Sequence, residues 1–392
     1  QLPISLVYRD HNFSLQRPFF YIGMSPKFGP LRLHLGNRNL NYSRYTLGGV
    51  SFFGVGAELN AGIIRLSGMA GSFRNPYAQR DSIIYGSVEI PTFERKGYAA
   101  KVGLGTTNNY VDLIFLRVTD AYNDDIQFDE NRFRPKDNSV LGLNINQRFL
   151  SDFNLRVDAA VSAITSDLSF DLINNDDETI QSLRKILEVN PTTNISYAAD
   201  VELQYQNKKF KSSLLYRRIY PHYISLGSTY ITPDKQEYLV RLSSGFVRNK
   251  IRVNSSFGWQ RNNLIDQRSI SSNRFIASVV MMVRPNKKFR TSIVINNYNI
   301  SNQPTIIEDN DSLRIVRVMS QFKVSPRYRI KGNTLAHSVS ATISYRTVDS
   351  QVLQNERGSK NRFGNFGYGL TYRPTQLRGK LNFNYNLSNN YS

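Results

Sequence analysis

Histidine, cysteine and clustered carboxylates carry most protein chemistry, and in this chain they are few and scattered. The four histidines, His11, His34, His222 and His337, lie far apart and form no HExxH or HxH pair. Cysteine is absent, which excludes thiol nucleophiles, disulfides and Cys-based zinc sites. No metal centre is expected from such a set. Acidic groups occur at Asp120–Asp129, Asn174–Glu178 and Glu308–Asp311, without the spaced ligands and central glycine of an EF-hand loop. A Ser-His-acid triad is recognised by geometry rather than chain order. Neither His34, within Leu33-His34-Leu35-Gly36, nor His337, which precedes Ser338, lies beside a nucleophile-elbow sequence. These histidines are expected to make ordinary hydrogen bonds. The glycine pairs Gly54/Gly56, Gly68/Gly71 and Gly103/Gly105 have no strand–GxGxxG–helix context and read as places where strands bend or approach closely. No catalytic residue, cofactor or metal ligand is predicted.

What the sequence does organise is a period of two. Ile251, Val253, Phe257 and Trp259 fall on one face of a strand, and Arg252, Asn254 and Gln260 on the other. Leu381, Phe383 and Tyr385 alternate with Lys380, Asn382 and Asn384 in the same way. Arg290, Ser292 and Asn296 line a third polar face, and Asp200, Glu202, Gln204 and Gln206 a fourth. Strands with one greasy and one wet face suit a wall between lipid and water. On this reading Ile251, Val253, Phe257, Trp259, Leu381, Phe383 and Tyr385 face lipid. Arg252, Asn254, Gln260, Arg290, Ser292, Lys380, Asn382 and Asn384 face a lumen.

Hairpins are expected at 18–28/31–37, 49–59/62–74, 96–106/109–119, 138–149/153–165, 193–206/209–220, 236–247/250–260, 272–285/288–300, 313–326/335–347 and 364–374/379–388. Their short turns are rich in Asn, Gly, Asp and Pro. Longer polar connections, 75–95, 120–137, 166–192, 221–235, 261–271, 301–312 and 348–363, separate them. Short turns alternating with long loops match the two sides of a bacterial outer-membrane barrel. Strands of eleven to fourteen residues exceed both the roughly five or six of soluble strands and the roughly 9–11 needed to cross a bilayer. No apolar run is long enough for a membrane helix.

The expected fold is therefore all-β: a transmembrane, antiparallel, up-and-down β-barrel of about 18–20 strands, forming one domain over residues 1–392. Nine hairpins plus a strand at Ile4–Tyr8 give an odd count, so a closing strand is expected beyond Ser392 unless one boundary shifts. Thr179–Val189, with Ile180, Leu183, Ile186 and Leu187 at helical spacing behind Asp176-Asp177-Glu178, predicts a short loop helix near 177–189. Tyrosine and phenylalanine clusters, Phe19–Tyr21, Tyr42 and Tyr45, Tyr216, Tyr220 and Tyr223, and Tyr368 and Tyr372, are expected in interfacial girdles.

The net charge is +20, from 50 Lys+Arg against 30 Asp+Glu. The basic residues are spread along the chain with no recognition helix, so no nucleic-acid partner is expected. Snorkelling at the interfaces, contact with anionic head groups and an anion-favouring lumen share the explanation. Outer-membrane lipid, lipopolysaccharide and other outer-membrane or surface proteins are the expected partners. A secretory signal removed before about Gln1 completes this reading.

Leu33-His34-Leu35-Gly36, Tyr45-Thr46-Leu47-Gly48-Gly49, Phe53-Gly54-Val55-Gly56-Ala57-Glu58-Leu59, Gly97–Gly103 with Tyr110-Val111-Asp112, and Gln260-Arg261-Asn262-Asn263-Leu264 resemble a family of outer-membrane β-barrel proteins of Bacteroidota. The resemblance implies a barrel lineage and carries over no catalytic residues. Two tasks follow: a channel for hydrophilic solutes, or a barrel subunit of a larger assembly that anchors or exports a surface protein.

Overall fold

Half-buried pleats with alternating polarity form strands because one face gains apolar cover while the ladder satisfies every backbone polar group. The computed structural model describes residues 4–7, 21–74, 92–121, 134–172, 181, 185–304, 315–331, 335–352, 355–372 and 379–391. Its strands are β1 (Ile4–Val7), β2 (Tyr21–Met24), β3 (Lys27–Phe28), β4 (Leu31–Asn39), β5 (Ser51–Ala61), β6 (Ile64–Arg74), β7 (Glu94–Gly105), β8 (Tyr110–Ala121), β9 (Asp137–Phe149) and β10 (Phe153–Thr165). They continue as β11 (Thr193–Gln206), β12 (Phe210–Ile219), β13 (Lys235–Phe246), β14 (Ile251–Asn262), β15 (Ile270–Val283), β16 (Phe289–Pro304), β17 (Ile315–Lys331), β18 (Leu335–Val352), β19 (Asn355–Tyr372) and β20 (Gly379–Tyr391). All twenty belong to one sheet. Sequence neighbours pair antiparallel from β4 to β9 and from β13 to β20. The fold is all-β, antiparallel and up-and-down, the pairing order of a β-barrel wall.

The short turns among the described residues fall close to where they were expected, and the links at 332–334 and 373–378 lie outside the described residues. Among the described residues the strands number twenty, because Tyr21–Met24 and Lys27–Phe28 are two short strands, β2 and β3, both paired to β4. One expected loop is corrected. Residues 348–363 are mostly strand, since β18 and β19 pair without a break from Leu335↔Tyr372 to Val352↔Asn355. Arg357, Lys360, Asn361 and Arg362 interrupt the apolar alternation there, and the ladder's backbone hydrogen bonds do not depend on it. The expected helix near 177–189 falls largely on residues outside those described. Its end, Lys185–Val189, is turn and coil. There the strands' side chains take the backbone groups: Ser139 Oγ donates to Ile186 O (2.5 Å), Thr165 Oγ1 to Glu188 O (2.5 Å), and Glu188 N–H to Asp137 Oδ2 (3.1 Å). Gln181 is helical, whereas Leu187, past the turn at Lys185–Ile186, is buried beside Ala163 and Val189.

Contacts divide the chain into two compact units, Gln1–Phe149 with Leu155–Val201 and Arg218–Asp234, and Leu150–Asn154 with Glu202–Arg217 and Lys235–Ser392. In the first, glycines stand opposite one another across five strands: Gly23↔Gly36, Gly36↔Gly54, Gly54↔Gly71 and Gly71↔Gly97. A Cβ on Gly54 would sit 2.2 Å from Ala70 O, and one on Gly71 2.5 Å from Phe53 O. The backbones close up along this row in a way that only glycine permits.

Candidate functional site

The first unit's sheet has one bare face and one covered face. The bare face carries Val55, Leu66, Val102, Leu104, Val111, Leu113, Leu141 and Leu143, all exposed and joined in register from β5 to β9. So large an apolar surface marks contact with lipid or protein. Two inserted segments cover the opposite face: residues 40–50, after β4, and 220–234, between β12 and β13. Gly48 N–H donates to Gly227 O (2.9 Å), and Gly48 and Ser228 form a parallel bridge. Tyr223 Oη donates to Tyr45 O (2.7 Å) and Ser225 Oγ to Thr46 O (2.6 Å). The Tyr45 and Tyr223 rings meet edge to face at 6.0 Å.

Beneath them lies the core: Leu40, Leu47, Met69, Ile114, Leu116, Val118, Val140 and Ile219. Side chains of the strands anchor the segments. Asp200 accepts from Tyr45 Oη and sits 3.5 Å from Arg44 Nη1. Asp158 Oδ2 accepts from Arg44 N–H (3.0 Å), and Asn138 Oδ1 from Leu226 N–H (2.9 Å). Tyr42 Oη lies 2.6 Å from Ser67 Oγ. Burial pushes the Tyr42 phenol up to about 12, against the lowering hydrogen bond from Ser67 and helped by the charge of Glu58. Burial raises Tyr223 as well, with Asp158 adding to it. Both stay neutral donors at physiological pH.

Tyr42, Tyr45 and Tyr223 are therefore corrected from girdle to core. Their exposures are 7%, 0% and 1%. Local composition hid this, because their partners lie far along the chain. The traces present were glycines within tyrosine-bearing loops, Gly48-Gly49 and Gly227.

Arginines neutralise the buried carboxylates of this unit. Arg65 grips Asp112 through Nε (2.8 Å) and Nη2 (3.0 Å), and Arg95 grips Asp120 (2.7 and 2.9 Å). Arg117 Nη2 reaches Asp137 Oδ2 at 3.0 Å. His34 forms a chain of its own: Nδ1 lies 2.9 Å from Ser25 Oγ and Nε2 3.3 Å from Glu58 Oε2. The order serine–histidine–carboxylate is that of an activated nucleophile. Here Arg32 offsets Glu58 at 3.7 Å, and the buried histidine joins β4 to β5 and to the turn at Ser25. Among the described residues no His/Asp/Glu group is arranged to hold a metal.

The chain matches no family model and no curated protein.

In the second unit the register carries two unlike faces across eight strands. One face runs Tyr238, Trp259 and Phe275, then Val240, Phe257 and Ala277, then Val279, Ile295, Phe322 and Tyr345, and then Met281, Ile293, Val324 and Ile343. Ile251 and Val253 share it, and through β19 so do Leu381, Phe383 and Tyr385. The opposite face holds Arg252, Asn254, Gln260, Arg290 and Ser292, together with Lys380, Asn382 and Asn384 at their register positions. The two candidate sets thus separate onto opposite faces. Tyr216, Tyr238 and Trp259 form an aromatic row with centroid spacings of 5.0 and 5.8 Å.

On the polar face Arg241 pairs with Glu202 (3.1 Å), and Gln204 Nε2 donates to Glu202 Oε2 (2.8 Å). Arg217 and Lys235 both hold Glu237 at 3.1 Å. A hollow of about 540 Å³ opens there, lined by Glu202, Gln204, Arg241, Ser243, Asn254 and Ser256 among others. Sequence reasoning ordered the faces of single strands, Glu202 with Gln204 and Arg252 with Asn254, because alternation is local; Arg241 and Ser243 join them only through the pairing of strands.

Proposed function

We propose that this chain is a barrel of the bacterial outer membrane that passes hydrophilic solutes, anions ahead of cations. One observation carries the reading: the separation of a mainly apolar face, interrupted by Ser255, Asn297, Asn299, Ser320 and Asp349, from a polar face across β13–β20. A wall of that kind suits hydrocarbon on one side and water on the other. The polar face carries Arg241, Arg252, Arg274, Arg290, Lys323, Arg327 and Arg346, while its described carboxylates, Glu202 and Glu237, are already held by cations. Its field favours anions. The resemblance to Bacteroidota barrels supports the same placement, with lipid and lipopolysaccharide as surroundings and no enzymatic role. Planar-bilayer recording of the folded protein under a salt gradient tests this. Discrete steps with a reversal potential of anionic sign are expected, and a silent or cation-selective barrel would overturn it.

A second reading, a barrel subunit that anchors or exports a partner, draws on strand length. β16 to β19 have 16, 17, 18 and 18 residues. Eighteen residues reach about 60 Å along the strand, or roughly 40 Å across a bilayer at 45° tilt, against a hydrocarbon core of about 30 Å. The excess is a platform outside the lipid. Extraction from native membranes in mild detergent decides: a stoichiometric companion supports this reading, and the lone barrel counts against it.

A further inference from the structure

Three consecutive short turns of the second unit repeat one chemistry. Asn207-Lys208-Lys209-Phe210 and Asn286-Lys287-Lys288-Phe289 are the same four residues in the same fold. Asn207 Oδ1 accepts from the N–H groups of Lys209 (2.9 Å) and Phe210 (2.7 Å), and Asn286 Oδ1 from those of Lys288 (2.9 Å) and Phe289 (2.8 Å). Between them lies Val247-Arg248-Asn249-Lys250, held with positive φ at Val247, Arg248 and Asn249 (51°, 53° and 63°). Each turn lifts two cations, and all six are exposed.

Backbone contacts tie the turns into one rim. Gly245 N–H donates to Lys209 O (3.2 Å), Arg284 N–H to Lys250 O (2.6 Å), and Arg329 N–H to Lys288 O (2.7 Å). Adjacent hairpins stand about two strand spacings apart, roughly 10 Å. None of the six cations is in an ion pair among the described residues; Glu202 is the carboxylate nearest to them in sequence and is held by Arg241, and Asp152 stands in the neighbouring turn, its carbonyl accepting from Gln206 N–H (2.8 Å). Phe246 and Val247 beside them are 51% and 64% exposed.

We propose that this rim binds an anionic lipid surface, the lysines and Arg248 on head-group phosphates and the exposed Phe246 and Val247 at the acyl boundary. Paired cations with no counter-charge, set beside apolar side chains at the end of an apolar wall, match the layered chemistry of a leaflet better than that of an acidic protein. The inference rests on the membrane reading above. Each basic residue at such a surface is worth about fivefold in affinity, and less when several act together.

The test is insertion into phosphatidylcholine vesicles, followed by native mass spectrometry of protein in a neutral detergent with phosphatidylglycerol, phosphatidylcholine, inorganic phosphate or a polyglutamate peptide. Wild type is expected to retain phosphatidylglycerol at least tenfold over phosphatidylcholine, with the preference falling as salt rises. The sixfold variant Lys208→Gln, Lys209→Gln, Arg248→Gln, Lys250→Gln, Lys287→Gln and Lys288→Gln should lose it. A control at the other strand ends, Arg261→Gln with Arg268→Gln, should keep it. Equal retention of the two lipids, an unchanged preference in the sixfold variant, competition by inorganic phosphate at equal concentration, or tighter binding of polyglutamate would each overturn the proposal. Failure to insert even into neutral vesicles would instead overturn the membrane reading beneath it.

Discussion

At Gly54 a single methyl group would meet a backbone carbonyl, and this makes the glycine row testable. The ideal Cβ lies 2.2 Å from Ala70 O and 2.6 Å from Gly71 Cα. Neither can move without parting β5 from β6. Gly54→Ala should therefore cost about 1–3 kcal/mol, the usual range for overpacking, seen as a lower urea midpoint of the folded barrel. Gly68 in the adjacent strand is the control: its Cβ would meet nothing nearer than Ala99 O at 3.9 Å, and Gly68→Ala should be close to neutral. The His34 chain is read the same way. Ser25→Ala removes one hydrogen bond and should cost about 1 kcal/mol. A fluorophosphonate should leave Ser25 unmodified, because the group ties a turn to two strands. Covalent labelling at Ser25 would instead establish a nucleophile and overturn the reading without catalysis.

At the scale of elements, what was legible follows from how far each residue's partner lies in sequence. β14 and β20 announce themselves because alternation is a local property, and Arg248-Asn249 marks the turn before β14. The first half of β19 does not, because Asn355–Asn361 pairs with polar strand ends and its pleat needs no apolar side. The segments 40–50 and 220–234 were least legible. Their stability is mutual, Gly48 finding Gly227 and Tyr45 finding Tyr223 across nearly half the chain, and neither looks apolar alone. A consequence can be measured. Tyr45→Ala with Tyr223→Ala removes both edge-to-face rings and the Tyr223–Tyr45 hydrogen bond, and leaves Leu47 and Leu116 underpacked. Deletions of this size in a core cost roughly 3–5 kcal/mol each. The segments should come off the covered face while the ladders from β4 to β9 hold. Limited proteolysis should then cut within 40–50 and 220–234 in the double variant and spare the wild type. Cleavage confined to strands, or none at all, would show that the two tyrosines do not hold the segments.

For the whole molecule the deciding question is which face meets lipid, and Trp259 can answer it as the only tryptophan in the chain. It stands on the apolar face, opposite Tyr238 on one side and Phe275 on the other, and is 38% exposed. It also lies near the end of β14, three residues before Asn262, in a row with Tyr216 and Tyr238. Aromatic rows at the ends of an apolar band settle at head-group depth, where a ring is half solvated. In vesicles its emission should be quenched by lipids brominated near the carbonyl end of the acyl chain, less by lipids brominated near the methyl end, and little by aqueous iodide. The reverse order, strong iodide quenching with no bromolipid effect, would place this face in water. It would then be the arginines of the opposite face that had to be explained inside a membrane, where unpaired charge is expensive. Because Gln260 and Gly258 flank Trp259 on the other pleat, a one-residue error in register would move the indole to that face and change the quenching with it. The measurement thus tests the register of β13–β15 and the sidedness of the wall together.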